Sequence, residues 1–402
     1  MVTLSVLTLN CWGIPTPLAC KFRKERIEEI GCELGKGDYD IVMLQEVWLK
    51  SDYQVLCSKM LKTMPYSHYF YSGMMGSGVC VFSKGPIRET FLHRFHLNGY
   101  AHKIHHGDWF GGKGVGLCKI QYQGLNINVY STHIHAEYDR DRDEYLAHRV
   151  AQAFEISQFI KHTSESGDLV ILGGDLNLEP VDLGYKLIKS NAKLHDAWLE
   201  RKLFSPDECN PNGNTNEIPS NSFSSPASLL KYPEGKRIDY ILYRTGPGYQ
   251  ANCEECRVTL GKILEKPYNY SDHEAVNAVL CVTPNPPETE VQKKEGLGVL
   301  DLLLNDALAV VDKGLKKSHA LRGFFTATFL ICLFVLYLAS EVNLPFGLNI
   351  LAMTCRLILV LTCAYAVWTR MVLSRVEENG LLETKADLLN LLQTSEYLKR
   401  QN

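Results

Sequence analysis

No charge of either sign dominates this chain: 42 Lys and Arg stand against 45 Asp and Glu, a formal charge of −3. It therefore lacks the cationic surplus that a nucleic-acid backbone rewards, although a local basic cleft can sit inside a neutral total. The 13 cysteines are odd in number and show no scaffold spacing, which points to a reducing compartment rather than a disulfide framework. Cys253-x-x-Cys256 has no second ligand pair, so the spacing of a structural zinc site is missing too. Gly73, Gly76 and Gly78 resemble a dinucleotide fingerprint only superficially, because no helix pattern follows them. The opening MVTLSVLTLNCWG has neither a basic n-region nor a long apolar core, and is expected to form a buried strand rather than a signal peptide.

What is present is enough apolar material for a large core: 402 residues, 46% hydrophobic and 22% charged, which excludes disordered and collagen-like classes. Composition shifts near residue 296. Residues 1–296 hold 32 Lys and Arg against 36 Asp and Glu, a net of −4, and the remainder 10 against 9, a net of +1. The run 323–340 carries no charge, and about 20 such residues at ~1.5 Å each cross a hydrocarbon core. A second run, 348–368, contains Arg356, a cation costing roughly 2.5–3.5 kcal/mol at mid-membrane. Asn343, Pro345 and Gly347 make a tight connection, so the pair is expected to be a transmembrane hairpin, over 321–342 and 348–369, with a re-entrant or interfacial helix as the alternative for the second run. Lys313, Lys316, Lys317 and Arg322 precede it and Arg370 and Arg375 follow it, which by the positive-inside bias puts both ends in the cytosol. Residues 283–296 read as a Pro-rich charged linker, and 297–320 as an amphipathic juxtamembrane helix bearing Leu300, Leu304, Leu308 and Val311. The tail 376–402 carries Leu381, Leu388, Leu391 and Leu398, a spacing compatible with a homodimer. The sequon at Asn269 would stay unmodified in the cytosol.

Residues 1–282 alternate elements. Strands are predicted at 2–10, 39–45, 79–83, 115–122, 125–132, 168–174, 237–243 and 275–282, and helices at 21–36, 52–63 and 142–162. Residues 204–236 carry five prolines and no periodicity, a loop long enough to be functional or disordered. Polar residues gather where strands end: Asn10, Gln45 and Glu46, His133, Asp175 and Asn177, Asp239, and Ser271-Asp272-His273. One such residue is a cap or a turn; six such places are what a cleft at the end of a sheet needs.

The ordered set LNCWG, QEVW, STH, GGDLN, RIDYIL and SDHE resembles the endonuclease, exonuclease and phosphatase superfamily. GSGVCVFSK, HHGDWFGGKGVG, THIHAEY and the terminal hairpin resemble its membrane-anchored neutral sphingomyelinases. The resemblance implies an α/β fold, a DNase I-like four-layer sandwich of two β-sheets flanked by helices, followed by the transmembrane hairpin. It implies phospholipase C-type hydrolysis of sphingomyelin to ceramide and phosphocholine, extending to lyso-phosphocholine lipids such as lyso-platelet-activating factor, on the endoplasmic reticulum or another intracellular membrane. A nuclease of the same superfamily is the alternative, disfavoured by the net charge and the hairpin; a non-catalytic membrane scaffold would not need the whole polar set. Inositol polyphosphate phosphatases carry Cys-Asp-Arg where this chain has Ser271-Asp272-His273.

Hydrolysis of a phosphodiester needs a cation on the phosphate oxygens, a base for water and donors for the developing charge. Glu46 is the expected Mg2+ ligand, with Asn10 nearby and Mn2+ as a substitute, since oxygen donors suit such ions. His273 is the expected base, its tautomer set by Asp272 or another carboxylate; the family makes Asp175 the first choice for that role. Asn177 and His133 would donate to the phosphoryl oxygens, and Asp239 would hold another ligand or histidine. Asp108 and Lys113 resemble a loop whose Lys reaches the phosphate or is held away by the Asp. His105, His106 and His135 are weaker candidates, as are Trp109, Phe110 and Tyr138 for choline.

Overall fold

A computed structural model describes residues 1–16, 20–103, 106–203, 210–285, 297–340 and 345–401. Apolar residues on both faces of the central strands generate the layers. In β1 (Val2–Asn10), Leu4 and Val6 face one way and Leu7 and Leu9 the other, and all four are fully buried. A strand with two buried faces must lie between two layers.

Sheet one has the order β11 (Tyr249–Thr259), β12 (Ala275–Pro284), β1, β2 (Ile41–Gln45), β4 (Cys80–Ser83), β3 (Tyr66–Tyr69). Sheet two runs β5 (Ile87–Arg94), β6 (Gly114–Tyr122), β7 (Leu125–His133), β8 (Leu169–Asp175), β10 (Asp239–Thr245), β9 (His195–Asp196). Leu4, Val6, Ile41 and Met43 pack against Cys118, Val129, Ile171 and Ile241 to form the core between the sheets. Leu7, Leu9, Val42 and Leu44 pack outward onto α1 (Arg23–Leu34) and α2 (Lys50–Met60) through Ile27, Ile30, Leu56 and Met60. Val170, Leu172 and Tyr240 pack onto α4 (Leu146–Thr163) and α5 (Leu183–Asn191) through Ile156, Ile160, Tyr185 and Ile188. These three cores make the four-layer α/β/β/α sandwich expected from the sequence.

The strands absent from the sequence reading are edge or near-edge strands. β5, at the edge of sheet two, is largely exposed, and β11, at the edge of sheet one, is interrupted by Glu254 and Glu255 at a bulge, so neither shows an apolar run. The short helices α3 (Asp108–Gly111) and α6 (Ala197–Glu200) and the longer α5 lie outside the helices expected from the sequence. The described part of the 204–236 stretch, residues 210–236, contains the short helix α7 (Pro226–Lys231), and Asn216 bridges both Lys236 and His273.

A second compact unit comprises residues 304–402 with the segment 100–105. Its helices are α8 (Leu297–Ser340), α9 (Phe346–Trp368), a π-helical turn (Thr369–Leu373) and α10 (Ser374–Gln401). The stretches Gly298–Ser340 and Gly347–Gln401 each contain a segment long and apolar enough to cross a membrane. The amphipathic and apolar parts expected as separate helices over 297–342 form one continuous helix to Ser340. Arg356 donates to the carbonyl of Ala339, giving the guanidinium an oxygen partner within apolar surroundings. Glu378 binds His319 at 2.9 Å and Arg322 at 2.5 Å, and Lys385 binds Asp312 at 2.7 Å, joining α10 to α8. Leu381 and Leu388 of the tail are buried within the chain itself. Linker residues 286–296, connection residues 341–344 and His105 lie outside the described residues.

Gly174, in β8 next to Asp175, has φ +145°, and a Cβ there would stand 2.0 Å from the carbonyl oxygen of Thr132. Gly174→Ala is expected to destabilise the protein by about 3 kcal/mol, the combined cost of a strained φ and overpacking, measured as a lowered Tm in detergent; an unchanged Tm contradicts this close approach.

Candidate active site

Register brings the polar strand ends together. β1 and β2 are parallel with Asn10 opposite Gln45; β7 and β8 are parallel with His133 opposite Asp175; antiparallel β10 begins with Asp239 opposite Asp175. The carboxyl ends of four strands therefore meet the amino ends of β10 and β12 at one end of the sandwich. The turns there are tight: Trp12, Glu46 and Asn177 all hold positive φ, at 46°, 57° and 47°. Non-glycine residues in that region cost free energy, and such strain collects where side chains must be aimed.

Asn10 sits at the centre. Its amide donates to Glu46 Oε1 at 3.1 Å and Asp175 Oδ2 at 3.0 Å, while its Oδ1 accepts from the Trp12 backbone at 3.0 Å. The Trp48 indole donates to Glu46 Oε2 at 3.4 Å. His273 Nδ1 lies 2.8 Å from Asp239 Oδ2, and its Nε2 lies 3.9 Å from Asp175 Oδ2. The carboxylate at His273 Nδ1 is thus Asp239, not the expected Asp175 or Asp272: β10 starts opposite Asp175 and carries its own carboxylate into reach of the ring. Asp272 instead receives the Ser271 hydroxyl at 3.2 Å. Asn177 binds back to the strand ends, its amide donating to the Ile134 carbonyl at 3.1 Å and its backbone N–H to Asp175 Oδ1 at 2.9 Å.

Lys113 is buried, and its ammonium contacts Asp108 at 2.5 Å, His133 Nε2 at 3.0 Å and the Ile134 carbonyl at 2.9 Å. His133 Nε2 lies 3.5 Å from Asp175. Asp108 also accepts from Tyr138 and lies 3.8 Å from His135, so the Asp108 loop is joined to the centre through one lysine. Tyr138 stacks on His106, which leaves that ring occupied in packing.

With this geometry in place, residues 7–273 match the Endonuclease/Exonuclease/phosphatase family. The chain belongs to that family. Human sphingomyelin phosphodiesterase 2 is 43% identical over 84% of this chain and 78% of its own length, and the mouse protein of the same name is 39% identical over 97% and 92%. A beta toxin from Staphylococcus aureus is 25% identical and superimposes with a TM-score of 0.53 over 68% of this chain and 99% of its own.

In this family member the site is over-supplied with buried carboxylates. Burial raises the Glu46 carboxyl, against the Asn10 hydrogen bond and Lys113. Burial, with Asp239 beside it, raises Asp175 to about 6, and burial raises Asp272 to about 6. Burial disfavours a charged His273, but Asp239 first, then Asp175 and Asp272, push it up to about 10. Burial and then Lys113 hold His133 well below the usual imidazole range, so it is neutral. Burial also opposes charge on Asp108, yet Lys113, His135 and Tyr138 hold it well below the usual carboxylate range. Asp239 Oδ1 is buried without a hydrogen-bond partner, and oxygens of Asp175 and Asp239 lie with a nitrogen of His273 inside 4.8 Å of one another. Raised carboxyls, an orphaned oxygen and mostly oxygen donors are what a hard divalent cation would relieve, so the residues fit a metal.

Two positioning residues escaped the sequence reading. Thr215, fully buried, donates to Asp239 Oδ2 at 2.6 Å and comes from the proline-rich stretch, where no pattern marks it. Arg26, fully buried on α1, donates to the carbonyls of Cys11, Trp12 and Tyr270 at 2.9, 2.7 and 2.9 Å and lies 4.8 Å from the centroid of the Trp12 ring. Its signal was an arginine beside Ile27 and Ile30 on an apolar helix face. Asp239→Asn removes the charge at His273 Nδ1 and leaves burial opposing the imidazolium. In the metal-free protein it is therefore expected to bring His273 titration, followed by NMR of the labelled ring, down from about 10; a curve unmoved from wild type contradicts the pairing.

Proposed function

We propose that this chain is a membrane-associated, Mg2+-dependent neutral sphingomyelinase that cleaves sphingomyelin to ceramide and phosphocholine. The observation that carries the reading is the His273–Asp239 pair set beside the Glu46–Asn10–Asp175 cluster, in a chain that shares most of its length with sphingomyelin phosphodiesterase 2. Residues 1–282 form the catalytic part and the apolar segments of α8 and α9 the anchor, with both ends in the cytosol and the endoplasmic reticulum or another intracellular membrane as its place.

His273 takes a proton from the attacking water at Nε2, while Asp239 fixes the proton at Nδ1 and stabilises the imidazolium that forms. Thr215 holds Asp239 in that orientation. Glu46 would hold the magnesium ion, positioned by the Asn10 amide, with Asp175 completing the oxygen set. The bound ion supplies positive charge to the phosphate oxygens and offsets the carboxylates that otherwise keep His273 protonated. Lys113, His133 and Asn177 donate to the phosphoryl oxygens as charge builds on them. Lys113 reaches the phosphate by leaving Asp108, which it touches at 2.5 Å. The bond that breaks joins phosphorus to the ceramide oxygen; the one that forms joins phosphorus to the water oxygen.

The headgroup reading rests on chemistry near Glu46. A cavity of about 450 Å³ beside Trp48, whose indole donates to Glu46, is lined by Tyr53, Tyr69 and Tyr71 together with Lys50, and its aromatic faces would attract a quaternary ammonium. Trp109, by contrast, lies on the Asp108 loop, and Tyr138, in the segment after β7, is engaged with Asp108 and His106.

Wild-type protein is expected to release phosphocholine from sphingomyelin in detergent micelles only with Mg2+, and lyso-phosphocholine lipids in the same assay define the lipid preference. His273→Ala and Glu46→Gln should each lower kcat roughly 100- to 10,000-fold; full activity in either variant removes that residue from the mechanism, and no release by wild type removes the reading. Lys113→Ala should lower kcat roughly 100- to 1,000-fold with a smaller change in KM. A selective rise in KM instead would make Lys113 a binding residue only.

A further inference from the structure

Outside the active centre, three side chains that bind transition metals converge. His93 is the penultimate residue of β5, His96 lies in the segment just after that strand, and Glu155 projects from the middle of α4. His93 Nε2 lies 2.7 Å and His96 Nδ1 3.0 Å from the same oxygen, Glu155 Oε2, and the three donor atoms fall within 4.8 Å of one another. The Glu155 side chain is 9% exposed, while His93 and His96 are 28% and 54% exposed. The carboxylate is thus buried and the imidazoles are the more exposed members of the cluster. The His93 ring stacks on Phe159 one turn along α4, fixing its plane.

We propose that His93, His96 and Glu155 form a site for a divalent transition-metal ion, Zn2+ foremost, that clamps β5 and the loop after it to α4. Two imidazole nitrogens and one carboxylate oxygen suit Zn2+, whereas Mg2+ and Ca2+ prefer oxygen throughout. With bonds of about 2.0–2.2 Å, tetrahedral donors stand about 3.3 Å apart, so the ion enters by displacing the hydrogen-bonding protons and widening the 2.7 and 3.0 Å contacts by a few tenths of an ångström. The clamp has a route to the active centre. Gln152, three residues before Glu155 on α4, donates to the Leu97 carbonyl at 2.7 Å and accepts from the backbone N–H of His135 at 2.9 Å. His135 is two residues beyond His133, so an ion at this site ties the loop holding Leu97 and the end of β7 to one helix.

The test is a Zn2+ titration by calorimetry of the full-length protein in detergent, with excess Mg2+ present to occupy the carboxylate centre, and Co2+ absorption as a second readout. Wild type is expected to bind one more equivalent of Zn2+ than His93→Gln/His96→Gln, and to give a Co2+ ligand-field band that the double variant lacks. Glutamine keeps a hydrogen bond to Glu155, and Mg2+-dependent hydrolysis by the double variant reports that it is folded. His96→Gln alone, at the most exposed of the three positions, should weaken Zn2+ at least tenfold and decides the matter if the double variant does not fold. Equal stoichiometry and affinity in wild type and variants would overturn the site and leave the three groups as a hydrogen-bonded cluster.

Discussion

The structure depends on how a cluster of carboxylates, two buried and two half-buried, is compensated. Glu46, Asp175, Asp239 and Asp272 lie at one end of the sandwich, and burial pushes three of them upward in pKa. Uncompensated, such charge would work against folding or drive the groups neutral. His273 as an imidazolium, the Lys113 ammonium, and the Asn10 and Thr215 donors offset part of it. A divalent cation bound there would offset what remains, so the electrostatic cost carried by the fold would become binding energy for the ion.

That cluster can be held only because the frame around it is rigid. Three apolar cores fix both sheets and both helical layers. The turns closing β1, β2 and β8 then accept positive φ at Trp12, Glu46 and Asn177. Arg26 secures the first of these turns by binding backbone carbonyls on both sides of it, from Cys11 and Trp12 to Tyr270. A single buried guanidinium therefore couples α1, the turn after β1 and the approach to His273.

The C-terminal unit solves a different problem with similar means. Arg356 would be costly in an apolar helix, but the Ala339 carbonyl gives it a partner. Glu378 gathers His319 and Arg322, so the arginine next to the apolar segment of α8 is paired within the chain. The basic residues that suggest orientation also contribute to helix pairing.

The sequence by itself determined the central strands, the long helices, the two apolar segments and the identity of almost every polar residue at the strand ends. Those are local properties: a strand buried on both faces reads as an apolar run, and a membrane-length segment as an absence of charge. β5 and β11 were hidden because edge strands carry polar residues, and Thr215 because its role lies in a contact with Asp239 across 24 residues of aperiodic chain. Only the tertiary structure decided which carboxylate serves His273. Asp175, Asp239 and Asp272 are chemically equal in the sequence, and the antiparallel register of β10 against β8 brings Asp239 to 2.8 Å from the ring while leaving Asp175 3.9 Å away. A pairing made across two strands is set by register and packing, which no local pattern of residues encodes.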